Sequence, residues 1–235
     1  MLSAREFVQW YNGHPENVSL PIDLASTSSV AICGLGNVAV DCARLLLRAP
    51  DALAPTDIAA HALAQLRSSA VRDVHLIGRR GPANAAFTAK ELRELLNLPD
   101  VHVQMHAGDF ETLSDAERAA LQTSRARKRV FDILSAAAKD ATSPPTSQRT
   151  LHLHFFRSPV AIEAHPENSS ACGSVVVEAT QVTTGADGQT TVQGTGVIHR
   201  LPAQLVLESI GYRSSPLPGV AFDARRGVVP NRCVG

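Results

Sequence analysis

The stretch that most limits what this chain can fold into is "SVAICGLGNVAVDCARLLL", residues 29–47. An apolar run of strand length ends on Gly34, an apolar-rich helical run starts at Asn37, and Pro50 stops it. Between them, Gly34-Leu35-Gly36-Asn37-Val38-Ala39 has the spacing G-x-G-x-x-A. Each small residue answers a physical need. Gly34 allows a tight strand-to-helix turn, Gly36 leaves bare backbone for a close approach, and Ala39 lets the helix pack near the sheet. A helix starting there presents free N–H groups and the positive end of its dipole, which suits a pyrophosphate. The motif alone also describes an ordinary glycine-rich turn. Its place between strand and helix is what points to a dinucleotide.

The pattern around the turn agrees. "TDIAAHALAQLRSS" reads as a helix after Pro55, with Thr56 or Asp57 as its N-cap. Residues 71–78 read as a strand. "FTAKELRELLNLP" reads as a helix, with Thr88 and Glu91 at capping-box spacing, and 101–105 as a third strand. This order predicts an α/β fold with a parallel sheet and flanking helices. A polar helical stretch over 115–139, containing "RARKR", and a loop, "DATSPPTSQRT", come next. "LHLHFFRSPVAIEA", "GSVVVEATQVTT" and "TTVQGTGVIHRL" then read as a small antiparallel β meander, with "GADG" as a hairpin turn and "AQLVLESIG" as a further apolar strand. Residues 1–24 show no clear period and read as a packed connecting segment holding Phe7, Trp10 and Tyr11.

At the end of the strand after the glycine turn, an NAD site places an Asp or Glu on the ribose hydroxyls. Here stands "LIGRRG", with Arg79 and Arg80. Two guanidiniums suit a 2′-phosphate through charge-assisted bonds, so the residues favour NADP(H); a solvated Arg pair is the plain alternative. Arg80 lies 44 positions after Gly36, and the extra helix in between accounts for the distance. A group to receive a hydride is not evident. Neither tyrosine has the Tyr-x-x-x-Lys spacing: Pro15 and Pro216 stand four places after Tyr11 and Tyr212.

The remaining chemistry is sparse. Cys33, Cys42, Cys172 and Cys233 form no C-x-x-C pair and read as idle thiols. His152 and His154 share a strand face with no further ligand apparent, and His102 and His106 read as ordinary polar positions, so no metal site is expected. A net charge of zero speaks against a general nucleic-acid or membrane-surface binder, and no apolar run nears the ~20 residues of a membrane span.

The segments "SAREFVQWYNGHPEN", "GLGNVAVDCARLLL", "VHLIGRRGPANAAFTAKELREL", "RARKR", "FFRSP" and "SIGYRSSPLPGVAFDARRGVVPN" together resemble the NADPH:adrenodoxin reductase family of ferredoxin–NADP⁺ reductases. The resemblance implies a two-dinucleotide-binding-domain flavoprotein, with an NADP domain inserted into an FAD domain. This chain would be the inserted domain over 25–214. Residues 1–24 would be the crossover segment from the FAD domain and 215–235 the start of the return, which makes the chain a piece of a longer enzyme or a truncated product. The resemblance further implies contacts from Gly34, Leu35, Gly36, Asn37 and Val38 to the pyrophosphate turn, from Arg79 and Arg80 to the 2′-phosphate, and from Glu91 near the cofactor. Leu35 stands where the family often has Gln. The implied partner is an acidic [2Fe–2S] ferredoxin, met by Arg93, Arg125 and Arg129. The implied cofactors are NADP(H) and FAD, the implied activity is electron transfer from NADPH through FAD to the ferredoxin, and the implied compartment is the mitochondrion. The fragment alone is expected to bind NADP(H) without turnover. Two alternatives stand beside this: a non-catalytic nucleotide-binding or interaction module, and part of another NADPH-dependent flavin oxidoreductase such as a glutamate synthase small subunit.

Overall fold

The computed structural model describes every residue except 112, 141–148, 185–189, 212, 213 and 231–235. In chain order the elements are β1 (Leu2–Ser3), α1 (Ala4–Tyr11), β2 (Ser29–Cys33), α2 (Asn37–Leu47), α3 (Pro50–Leu53), α4 (Ala60–Arg67), β3 (Asp73–Ile77), α5 (Ala89–Leu96) and β4 (Val101–Met105). They continue with α6 (Asp115–Thr123), α7 (Arg125–Asp140), β5 (Arg149–His154), β6 (Arg157–His165), β7 (Asn168–Thr184), β8 (Thr190–Pro202) and β9 (Leu205–Glu208). Six strands form a parallel sheet in the order β1-β9-β2-β3-β5-β4, and β6-β7-β8 form an antiparallel meander.

Strand alternation decides the layers. On one face Val30, Ile32, Val74, Leu76, Leu151, Leu153 and Leu207 enter the main core, with Val40 and Leu47 of α2, Leu92 and Leu95 of α5 and Leu134 of α7. On the other face Ala31, Ile77 and Val206 pack against Val175, Val177 and Ala203 of the meander side. The result is a sheet between helices and meander.

Several sequence expectations change on the physical detail. Residues 1–24 are more ordered than their pattern suggests. Ser3 and Glu6 form a capping box, α1 follows, and its Phe7 and Trp10 stack at 5.5 Å in the core. The spacing Ser3-x-x-Glu6 was the available signal. The helix after Pro55 starts only at Ala60 and has no side-chain cap. The Thr56 hydroxyl is already spent, donating to the Leu53 carbonyl at 2.6 Å to close α3. The 115–139 stretch breaks into two helices at Ser124. "LHLHFFRSPVAIEA" is not one meander strand. Its first half, β5, inserts between β3 and β4 of the parallel sheet. Phe156 then takes φ 51°, which ends that strand and turns the chain into β6. The "GADG" turn lies outside the described residues.

Candidate nucleotide site

The glycine turn sits where β2 ends between β3 and β9. The Gly34 N–H donates to the Ile77 carbonyl and the Ser209 N–H to the Cys33 carbonyl, both at 2.8 Å, so the turn is tied to both neighbours. The chain leaves β2 toward β3 and returns to β9 on its other side. Such a switch point opens a crevice at the carboxyl ends of the strands, where α/β sheets bind ligands. Gly34 adopts φ 141°, and a Cβ there would run into the Ser209 carbonyl. Gly36 differs. It is the N-cap of α2 with extended backbone (φ −119°, ψ 176°), makes no side-chain cap, and a Cβ on it would meet nothing within 4 Å. Gly36 is thus open on its Cβ side, and α2 starts there with no side-chain cap and no acidic residue in its first turn.

The rest of the turn is held in place. The Leu35 carbonyl accepts from the Ala86 N–H at 3.1 Å, and Asn37 Oδ1 accepts from the Thr88 N–H at 2.9 Å, so the 82–88 loop closes one side. The Leu35 side chain lies against Gly78, and Val38 packs at the core edge. Leucine at position 35 therefore serves packing, leaving only its backbone toward a ligand.

Arg79 and Arg80 follow directly after β3, beside this turn, and both are exposed. Their backbone is fixed: Thr180 Oγ1 donates to the Arg79 carbonyl at 2.8 Å, and the Phe156 N–H to the Arg80 carbonyl at 3.2 Å. Among the described residues neither guanidinium has an ion-pair partner. The structure thus brings the turn and the Arg pair to the carboxyl ends of neighbouring strands.

Glu91 sits elsewhere than its spacing suggests. Thr88 caps α5 by accepting the Glu91 N–H at 3.3 Å, but the return half of the box is absent. Asn37 has taken the Thr88 N–H, and the Glu91 carboxylate turns to Arg44 at 3.3 Å. Arg44 also pairs with Asp41 at 2.7 Å and with Glu94, so this cluster joins α2 to α5. Burial, resisted by Arg44 and aided by Glu91 and Glu94, pushes the Asp41 carboxyl above its ordinary range.

Arg93 on α5 and Arg125 and Arg129 on α7 are exposed on two helices that pack together. None of the three has an ion-pair partner among the described residues, whereas Lys128 is tied to Asp132 at 2.7 Å. Cys33 and Cys42 are quiet: burial pushes Cys33 up to about 11, with Glu208 adding to it, and Cys42 up to about 12, while Cys233 lies outside the described residues. One cluster escaped the sequence reading. His75 of β3 joins His152 and His154 of β5 on the meander-side face. The alternation of 152 and 154 was visible; the register that sets 75 beside 152 was not.

Together these features define a Rossmann-like α/β unit with an antiparallel meander set before its last strand, the architecture of the two-dinucleotide-binding-domain flavoproteins. No protein-family model matches the chain. It is 46% identical over 232 residues to the mitochondrial NADPH:adrenodoxin oxidoreductase of Arabidopsis thaliana, covering 97% of this chain and 48% of that protein. It is 43% identical to the mitochondrial NADPH:adrenodoxin oxidoreductase of Bos taurus, covering 98% of this chain and 47% of that one. The solved structure of Mycobacterium tuberculosis FprA in complex with NADPH superposes with a TM-score of 0.85 at 37% identity, over 98% of this chain and 49% of that one. The chain is thus homologous, along nearly its whole length, to the NADPH:adrenodoxin oxidoreductases and FprA, and it spans about half the length of the relatives it matches.

Proposed function

We propose that this chain binds NADP(H) across the carboxyl ends of β2 and β3. We further propose that it serves a reductase passing electrons from NADPH through FAD to an acidic [2Fe–2S] ferredoxin. The observation that carries the reading is the pair of unpartnered guanidiniums, Arg79 and Arg80, at the strand end where an acid would mark NAD. The homology to NADPH-dependent reductases supports it.

The residues fit the cofactor. Gly36 offers open space over bare backbone, and the uncapped N-terminus of α2 offers donors to a pyrophosphate. Leu35, Asn37 and Val38 contribute backbone, with Gly34 setting the turn. Arg79 and Arg80 hold the 2′-phosphate by charge-assisted bonds. Glu91 acts at one remove, by tying α5 to α2 through Arg44. When bound, NADPH would supply hydride and FAD one-electron chemistry, while the residues of this chain bind and orient the dinucleotide. In this reading FAD belongs to a second nucleotide unit, 25–214 is the NADP-binding domain, and 1–24 and 215–235 are its connectors. The ferredoxin docks on Arg93, Arg125 and Arg129. The compartment is the mitochondrion, as in the names of the eukaryotic relatives.

Titration of the chain with NADPH and NADH tests the site. NADPH should bind at least roughly tenfold tighter, each tenfold corresponding to about 1.4 kcal/mol. Arg79→Ala/Arg80→Ala should erase the difference by weakening NADPH while leaving NADH unchanged. A preference that survives the double substitution would overturn the phosphate assignment.

A further inference from the structure

The face of the sheet under the meander should be apolar, yet near β3 and β5 it carries three imidazoles. Parallel register sets His75 beside His152 and Ile77 beside His154, so the three histidines share one face. One ligand nitrogen from each lies within 4.8 Å of the others. His75 Nδ1 and His154 Nε2 are hydrogen-bonded at 3.0 Å, close to the roughly 3.3 Å between two nitrogens on a tetrahedral zinc, and because the His75 ring stacks on His152 at 4.3 Å the rings must turn for their lone pairs to meet on one ion. His152 Nε2 meets Asp73 Oδ1 at 2.7 Å, which leaves Nδ1 as its free nitrogen. A carboxylate on the far nitrogen of an imidazole is the usual support of a metal-ligating histidine, since it fixes the tautomer and raises basicity. His152 and His154 also line a cavity of about 200 Å³ with His106, Asp109 and Arg157, which gives an ion a way in.

We propose that His75, His152 and His154 bind a borderline divalent cation of the zinc class, with Asp73 orienting His152 and the cavity side left open. Now the Nδ1 of His75 and the Nε2 of His154 share one hydrogen. On binding, that hydrogen moves to the opposite nitrogen of its ring, and no net proton is released. Arg157 opposes a dication here, with its guanidinium held on the Phe155 and Phe156 carbonyls, while Asp73 and Asp109 favour one. The ion would staple β3 to β5 just before the turn that carries Arg79 and Arg80.

The test uses the chain without a polyhistidine tag, titrated with Co²⁺ and then with Zn²⁺ as competitor. One Co²⁺ per chain should bind with the visible absorption of a low-coordinate nitrogen site, be displaced by Zn²⁺, and raise the thermal midpoint. His152→Ala/His154→Ala should abolish the absorption. Asp73→Asn, which leaves all three imidazoles in place, should weaken binding about 10–100-fold. If neither ion binds at micromolar concentration, or if Asp73→Asn and the double variant bind like the parent, the site does not exist.

Discussion

At Gly34 the backbone sits at φ 141° and a side chain would meet the Ser209 carbonyl, whereas at Gly36 the backbone is extended and faces open space. Substitution should separate the two roles. Gly34→Ala forces an L-residue into left-handed backbone and a clash, so it should lower stability by roughly 1–3 kcal/mol or more, read as a lower urea midpoint. Gly36→Ala meets no strain and should leave that midpoint where it is. It should instead weaken NADPH binding by about tenfold or more, because its methyl occupies the approach of the pyrophosphate. A Gly36→Ala chain that binds NADPH normally would remove the bare backbone from the account. Leu35 shows the reverse: its side chain packs on Gly78, so whatever a polar residue adds at this position is not made here.

Among the elements, α7 is the one whose sequence works against its own helix. Ser124 caps it, with the Arg127 N–H on Ser124 Oγ at 3.4 Å, and "RARKR" then fills its first turns without an acid. Cations at a helix N-terminus meet the positive end of the dipole, so this arrangement costs stability. In the proposed docking role the same charges would attract an acidic partner. Arg125→Glu/Arg129→Glu should therefore move two observables in opposite directions. The thermal midpoint should rise, because acid replaces base near the helix start, while affinity for an acidic [2Fe–2S] ferredoxin should fall. The salt dependence of binding should flatten as well. A higher midpoint with unchanged ferredoxin affinity would leave the patch as a solvated surface.

The whole molecule is a three-layer stack, and its two sheet faces respond differently to pH. The core on the helix-side face is built from apolar side chains and holds no histidine. The meander-side face holds His75, lowered to about 3, and His154, lowered to about 4, chiefly by burial. His75 faces His152, His154 and Asp73; His154 faces His152, Arg157 and His199. In the unfolded chain these imidazoles take up protons near pH 6.5, and in the native chain they do not. The unfolded state thus gains protons first as pH falls, and stability is lost from about pH 6.5 downward until His154 titrates near pH 4 and His75 near pH 3. Each group contributes about 1.4 kcal/mol per pH unit across that window. Denaturation with EDTA present should show the urea midpoint falling between pH 6.5 and 4.5, and falling less steeply in His75→Gln/His154→Gln. An equal slope in both would mean the two imidazoles are not held neutral.

Sequence alone settled what depends on neighbours along the chain. The glycine turn between strand and helix, the strand over 101–105, the Thr88 cap and the Arg pair at a strand end were all legible, because each is a short pattern with one mechanical meaning. Much of the parallel sheet was legible from such patterns, and the meander from the later strand-like runs. The tertiary structure decided what depends on register and competition. It placed β5 inside the parallel sheet, since only pairing with β3 and β4 buries Leu151 and Leu153. It took Glu91 from its capping box, because Asn37 satisfies the same donor and Arg44 attracts the carboxylate. It also brought His75 to His152 and His154, across a separation that no local pattern spans.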